Sequence, residues 1–288
     1  MQSYFQYFSS SIDGIKLPSK FTFPFYYEPH GLCEIAAHEV QDYLKTQTDF
    51  EHNFGLVPSK KGLVIGKMFG VLVVQNQQGA LGYISAVSGK LAETNSHKKF
   101  VPPVYDMLSK NSYFLQEEAL LNAINLKLEN LENNSDYHEL LSQFKAEKKK
   151  AAIDIKEKKQ GLKTTKNERD LKRDKAHFEL KLEAYAAFEK TLAKESLEAK
   201  YFFNNVTRYW EHTLNAITEK LSVFTNQIET LKEARKTKSA ALQQYLFEQY
   251  QFLNAKKEVK DLSQLFLETS ALKPPAGSGE CAAPKLLQ

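Results

Sequence analysis

The middle of the sequence has almost no helix-breaking residues. Proline is absent between Pro103 and Pro274, and Gly161 is the single glycine between Gly89 and Gly277. The residues in between are rich in Leu, Ala, Lys and Glu, which favour helix. This absence excludes a loop-rich or all-β middle region and predicts helix over nearly the whole stretch.

Cysteine and long apolar runs are also scarce. The chain has two cysteines, Cys33 and Cys281, which excludes a disulfide scaffold and makes a reducing cytoplasm the expected location. No apolar run approaches 18 residues, and the opening MQSYFQYFSSSID lacks the basic start of a signal peptide. We therefore expect a protein that does not enter a membrane.

Recognisable catalytic motifs are missing as well. The sequence has no nucleophile elbow, dinucleotide fingerprint or HExxH helix, and GLVIGKMFG lacks the spacing of a phosphate-binding loop. His30, Cys33 and His38 lie close together, but Cys33 and His38 are five residues apart and do not share a helix face, so a packed cysteine is favoured over a metal site. Cys281 is a weak candidate metal ligand, and no cofactor is expected.

Apolar residues recur at helical spacing along the middle stretch. Three seams follow this pattern: Leu121, Ile124, Leu128 and Leu131; Leu171, Phe178, Leu182, Tyr185, Phe188 and Leu192; and Leu214, Ile217, Leu221, Phe224, Ile228 and Leu231. One helix cannot bury such seams alone. We expect a long antiparallel helical hairpin, a coiled coil over residues 111–272, with its tip at 161–167 or 203–207.

The flanking residues predict a small base. An extended segment over 21–29, a helix over 32–47 and a β-hairpin over 68–88 are expected in residues 1–110. Residues 273–288 would return to this base and begin a truncated helix, as in a fragment of a longer protein. The predicted fold class is α+β: a helix and a β-hairpin with a long helical insertion.

Charge is concentrated in one part of the predicted insertion. Residues 145–181 carry 14 Lys and Arg against 7 Asp and Glu, so this segment is at +7 while the rest of the chain sums to −3. A basic stretch of this kind can follow a phosphate backbone, although a solvated coiled-coil face has a similar composition. The candidate phosphate contacts, taken as a patch, are Lys148, Lys149, Lys150, Lys158, Lys159, Lys172 and Arg173.

Several long stretches resemble one family. LPSKFTFPFYYEPHGLCEIAAHEVQDYL, IGKMFGVLVVQNQQGALGYISAVSGKLA and LKPPAGSGECAAPKLLQ are similar to the N-terminal extension of bacterial RluA-type RNA pseudouridine synthases, typical of Bacteroidetes. The resemblance implies a C-terminal catalytic domain whose R-L-D motif supplies the catalytic aspartate. No R-L-D occurs here, so no catalytic residue is carried over and the chain is expected to be inactive alone.

A fainter resemblance concerns the base. A helix, a β-hairpin and a helix beginning ECAAPKLL look like the first half of the zinc nucleobase-deaminase fold. That resemblance implies a zinc ligand at Cys281, but Ala283 stands where the deaminases have a proton-shuttling glutamate. Deamination would lack its general base.

Three functions therefore remain open at the level of sequence. The favoured one is an accessory region of an RNA pseudouridine synthase that helps to bind structured RNA, ribosomal or transfer. The alternatives are a coiled-coil module for protein interaction or homodimerisation, and a degenerate deaminase-like domain.

Overall fold

The computed structural model describes residues 4–21, 28–269 and 272–288. It is an α+β protein dominated by helix, as expected from the sequence. The chain divides into two compact units, one formed by Met1–Leu120 with Lys238–Gln288 and the other by Leu121–Thr237. Residues 111–120 and 238–269, both predicted to belong to the insertion, thus lie in the first unit. The extended segment predicted over 21–29 falls mostly on residues 22–27, outside the described residues.

The first unit is built around a three-stranded antiparallel sheet. Strands β2 (Phe69–Gln75) and β3 (Leu81–Val87) form the predicted hairpin, and β1 (Gln6–Tyr7) pairs with the other edge of β3. The Asn76 side chain accepts hydrogen bonds from the N–H groups of Gln78 (3.0 Å) and Ala80 (2.9 Å) in the hairpin turn. This local bonding fixes the register of the two strands.

Helices cover the two faces of this sheet. Helix α1 (Gly31–Thr46) matches the predicted 32–47 helix and buries its apolar face against one side. The short helix α6 (Ala282–Leu286) packs on the other side, where Ala282 and Leu286 meet Ala86. Gly70 permits this approach, because a Cβ there would press on Ala282 and Leu286. The base is therefore a helix–sheet–helix sandwich whose third layer comes from the end of the chain.

The remaining elements of the first unit follow the long helices. Helix α2 (Tyr113–Glu132) starts in this unit, and α4 (Leu182–Gln249) ends in it. After α4 come β4 (Gln251–Leu253), β5 (Val259–Asp261), α5 (Leu262–Thr269) and a 3₁₀ turn at Ser278–Glu280. Glu117 and Lys238 form an ion pair of 3.0 Å, so the positions where the chain leaves and re-enters the unit lie side by side.

The second unit consists of helices alone. It contains the end of α2, all of α3 (Ser135–Glu179) and most of α4. The Asn134 side chain caps α3 by accepting from the N–H groups of Asp136 and Tyr137. No helix in the described part of the chain combines the length and apolarity needed to cross a membrane.

Side chains on α4 meet those on α2 and α3 in reverse order along the chain. The pairs are Glu132 with Lys232 (2.7 Å), the rings of Tyr137 and Phe224 (5.6 Å between centroids), Asp154 with Trp210 (2.8 Å), and Arg173 with Glu189 (2.5 Å). As the residue number on α2 or α3 rises, the number of its partner on α4 falls.

The position of the break between the long helices was predicted wrongly. Segments 161–167 and 203–207 both lie inside helices, and the break falls at Leu180–Lys181. One interior glycine costs a helix only about 1 kcal/mol, so Gly161 is tolerated within the 45 residues of α3. No glycine, proline or asparagine marks the true break.

The three predicted seams differ in burial. Leu128, Ile217, Leu221 and Ile228 are buried, and the other residues of the first and third seams are half-buried. In the second seam Leu192 is buried, but Leu171, Phe178 and Leu182 are exposed. These three lie close to the break, where the helical spacing of apolar residues does not lead to burial.

Candidate nucleic-acid interface

The predicted phosphate-binding residues all lie on α3, but they do not share one face. Lys148, Lys149, Lys150, Lys158, Lys159 and Lys172 are exposed, and Arg173 is half-buried. Helical spacing of 100° per residue distributes them around the helix, so they cannot all contact one ligand surface. The predicted patch is therefore not a single site.

Several of these side chains already have partners. Arg173 donates to Glu189 (2.5 Å) and Asp170 (2.7 Å), and these carboxylates raise the pKa of its guanidinium. Lys150 pairs with Glu147 at 2.7 Å. Lys148 and Lys158 lie over the rings of Phe144 and Phe202, at 5.8 and 5.7 Å from the ring centroids. Arg173 in particular is committed to holding α3 and α4 together near their junction.

A different set of basic residues does share a face. Positions stepping by four and three residues along α3 form one row, and six of them are exposed lysines: Lys145, Lys149, Lys156, Lys159, Lys163 and Lys166. The row spans about 32 Å at 1.5 Å per residue. Two of the six, Lys149 and Lys159, were predicted from the sequence. The other four were missed because charge was counted by segment, although the spacing used for the apolar seams would have found them.

The row, which we call the lysine row, lacks local neutralisation. Helix neighbours lie three and four residues away, and only Lys166 has a carboxylate at such a distance, Asp170. That carboxylate already pairs with Arg173. None of the six lysines forms an ion pair with any carboxylate within the described residues.

The lysine row carries an electrostatic cost when the protein is free. It contains four lysine pairs at helical spacing: 145 with 149, 156 with 159, 159 with 163, and 163 with 166. Each like-charge pair destabilises a helix by about 0.2–0.5 kcal/mol, so together they cost roughly 1–2 kcal/mol. A bound polyanion would remove this repulsion and gain counterion release in addition.

The cysteines and histidines do not form a metal centre among the described residues, where no group of three or more His, Cys, Asp or Glu side chains converges. His30 caps α1, with Nδ1 accepting from the Leu32 N–H (3.3 Å) and Nε2 lying 3.0 Å from the Lys16 carbonyl. Cys33 is half-buried, and burial, with Glu34 second, raises the pKa of its thiol. Cys281 is exposed at the start of α6.

A buried charged network joins the end of the chain to the sheet. Lys285 Nζ donates to Glu280 Oε2 and to the Val87 carbonyl, each at 3.1 Å, and the Tyr250 hydroxyl donates to Glu280 Oε1 at 2.5 Å. The Lys285 and Glu280 side chains are only 1% and 8% exposed. Burial, followed by the hydrogen bond to Glu280, raises the pKa of Tyr250 far above its ordinary value, so it remains a donor. The network lacks access for a substrate and acts as a structural clamp.

A second carboxylate ties the N-terminal segment to α1. Glu39 accepts from the N–H groups of Ser9 (2.8 Å) and Ser10 (2.9 Å). Burial acts to raise the pKa of Glu39, but these donors and the Tyr83 hydroxyl outweigh burial, so the pKa is lowered. Glu39 is therefore a charge that the folded state stabilises.

Comparison with known proteins adds no assignment: no family model matches the chain, and no curated protein or solved structure matches it. Any functional conclusion rests on the residues themselves.

Proposed function

We propose that this chain is an RNA-holding accessory region of an RNA pseudouridine synthase, acting beside a catalytic domain that supplies the isomerisation chemistry. In this proposal α3 and α4 form an antiparallel coiled-coil hairpin, and α3 presents the lysine row to structured RNA in the cytoplasm. The enzyme family comes from the resemblance of the sequence. The RNA-binding role is supported by the lysine row.

Two observations support the hairpin. The contacts between α4 and the preceding helices run in reverse order along the chain, from Glu132 with Lys232 to Arg173 with Glu189. Leu128, Leu192, Ile217, Leu221 and Ile228 are buried on helices that are otherwise strongly charged, as expected for a seam between helices.

The RNA-binding proposal is tested by a charge-matched pair of variants. The first changes four lysines of the row, Lys149, Lys156, Lys159 and Lys163, to Glu. The control changes four exposed lysines elsewhere on α3, Lys150, Lys158, Lys172 and Lys175, to Glu. Both lower the net charge by the same amount.

We expect wild-type protein to bind a transfer or ribosomal RNA fragment with an affinity that falls steeply with salt. The row variant should lose at least tenfold more affinity than the control variant. Equal losses would show that only net charge matters, and no binding at low salt would remove the RNA role. Circular dichroism would establish that both variants remain helical.

A second candidate function, protein docking or homodimerisation through the arm, is favoured by a different observation. Helix α4 exposes large apolar side chains: Leu197 (68% exposed), Tyr201 (67%), Phe202 (57%), Tyr209 (63%) and Val223 (57%). Exposed apolar surface of this kind often marks an interface. A solution mass that rises with concentration, and returns to that of a monomer on Tyr201→Glu and Tyr209→Glu substitution, would support this candidate. A strict monomer at all concentrations would exclude homodimerisation.

A further inference from the structure

The lysine row has a geometry that bears on the kind of RNA it fits. Its six lysines are carried by one uninterrupted helix of 45 residues, so their Cα atoms lie along a stiff line rather than on a flexible loop. Contacts with α4 hold this helix along its length, among them the Trp210 Nε1 hydrogen bond to Asp154 at 2.8 Å. The spacing of the backbone positions that carry the lysines is therefore fixed before any ligand binds.

The surface next to the lysine row contains no group that could stack on bases. The residues one helical turn from the lysines include Ala146, Ile153, Gln160 and Asn167, and none of them is aromatic. Between Phe144 and Phe178 α3 carries no aromatic residue. Proteins that hold single strands depend on aromatic side chains, each stacked base contributing about 1–3 kcal/mol.

No row lysine lies over an aromatic ring among the described cation–ring contacts. Phe202, on α4, has Lys158 above it, and Lys158 is not a member of the row. The row therefore offers charge without a ring for stacking.

From this we infer that the lysine row binds the phosphate backbone of double-stranded RNA. A duplex holds its phosphates in fixed positions, so a stiff line of cations meets a stiff array of anions and little order is lost. A single strand would have to be straightened along the helix without any stacking to compensate. Double-stranded RNA is recognised mainly through its shape, phosphates and 2′-hydroxyls, which suits a row without stacking groups.

The RNA identity of the ligand rests on the proposed function, whereas its double-stranded form rests on the row itself. The number of lysines also sets a quantitative expectation. If all six neutralise phosphates, log K should fall against log salt with a slope of about −5 on a duplex. Four fewer contacts should reduce the slope to about −2.

The experiment measures binding of the full chain by fluorescence anisotropy over a salt series. The two probes are a blunt RNA duplex of about 16 base pairs, the span of a typical duplex-binding domain, and oligouridine with the same number of phosphates. Two variants accompany the wild type. One changes Lys149, Lys156, Lys159 and Lys163 to Gln, and the control changes Lys150, Lys158, Lys172 and Lys175 to Gln.

We expect the duplex to bind at least tenfold more tightly than oligouridine at equal salt. The row variant should show the shallow slope, while the control keeps the steep one. Oligouridine binding as tightly as the duplex would overturn the duplex inference and leave the RNA-holding function intact. An unchanged slope in the row variant would assign the contacts to other residues and overturn the site. Absence of salt-dependent binding to either probe would overturn both proposals.

Discussion

Removing the ammonium group of Lys285 should destabilise the base more than any other single charge change in it. In Lys285→Met the Glu280 carboxylate stays buried with only the Tyr250 hydroxyl as partner, and the Val87 carbonyl loses its donor. Breaking a buried ion pair in this way costs about 3–5 kcal/mol. Because whole domains are stable by only about 5–15 kcal/mol, a large part of the stability of the base is at risk.

Amide hydrogen exchange of β3 measures this loss, because that strand is central to the sheet of the base. Far-ultraviolet circular dichroism would mostly report the long helices. A loss of 3–5 kcal/mol predicts exchange roughly 150- to 5,000-fold faster. Two controls sharpen the test. Lys90→Met removes an exposed lysine paired with Glu93, and it should change β3 exchange only slightly.

The second control is the double variant Lys285→Met with Glu280→Gln, which removes both charges. It should recover much of the protection, since no uncompensated charge remains buried. Acceleration of less than about tenfold in Lys285→Met would refute the reasoning. A double variant as unstable as the single one would place the cost in lost packing rather than in the unpaired carboxylate.

Three further predictions concern other parts of the molecule. The pKa of Glu39 is lowered, so its charged form stabilises the fold above about pH 4.5, and this contribution is lost as pH falls through the folded-state pKa. Glu39→Gln should therefore lower the Tm at neutral pH and leave it unchanged in acid. Equal Tm differences at both pH values would contradict this. Cys281 is exposed, whereas Cys33 is half-buried and the pKa of its thiol is raised. A thiol reagent at neutral pH should therefore label Cys281 well before Cys33, which peptide mass mapping would show. Equal labelling rates would argue against the burial of Cys33. On α4, the side chain of Leu192 is 1% exposed and that of Leu197 is 68% exposed. Leu192→Ala should lower the free energy of unfolding by about 2–5 kcal/mol and Leu197→Ala by less than about 0.5 kcal/mol, as measured by urea unfolding with Trp210 fluorescence as the signal. Similar losses would mean that Leu192 lies outside the seam.

The elements with strong local signals could be predicted from the sequence. The 32–47 helix, the 68–88 hairpin and the helical nature of the middle region all depend on periodicity and on the position of glycine and proline, which act over a few residues. The break at Leu180–Lys181 could not be found in this way. It depends on where two long helices stop contacting each other, and the residues there are ordinary helix formers.

For the candidate site too, the sequence reveals some features and leaves others hidden. Charge counting found a basic segment, but it could not separate Arg173, which joins two carboxylates, from lysines that have no carboxylate partner. The buried partnership of Glu280, Lys285 and Tyr250 was not visible either, because the partners come from separate elements and each residue type is common on surfaces.

The late position of α6 in the chain has a consequence for synthesis. Ala282 and Leu286 cover the face of the sheet that includes Ala86, yet they follow it by about 200 residues. At about 5–20 residues per second a ribosome needs roughly 10–40 s to cross that interval. The helices of the second unit form within microseconds of emerging, whereas one apolar face of the sheet stays open to solvent throughout. Nascent chains stalled before Ala282 should therefore contain a protease-resistant second unit and a protease-sensitive base, and it is during this interval that a chaperone would be needed.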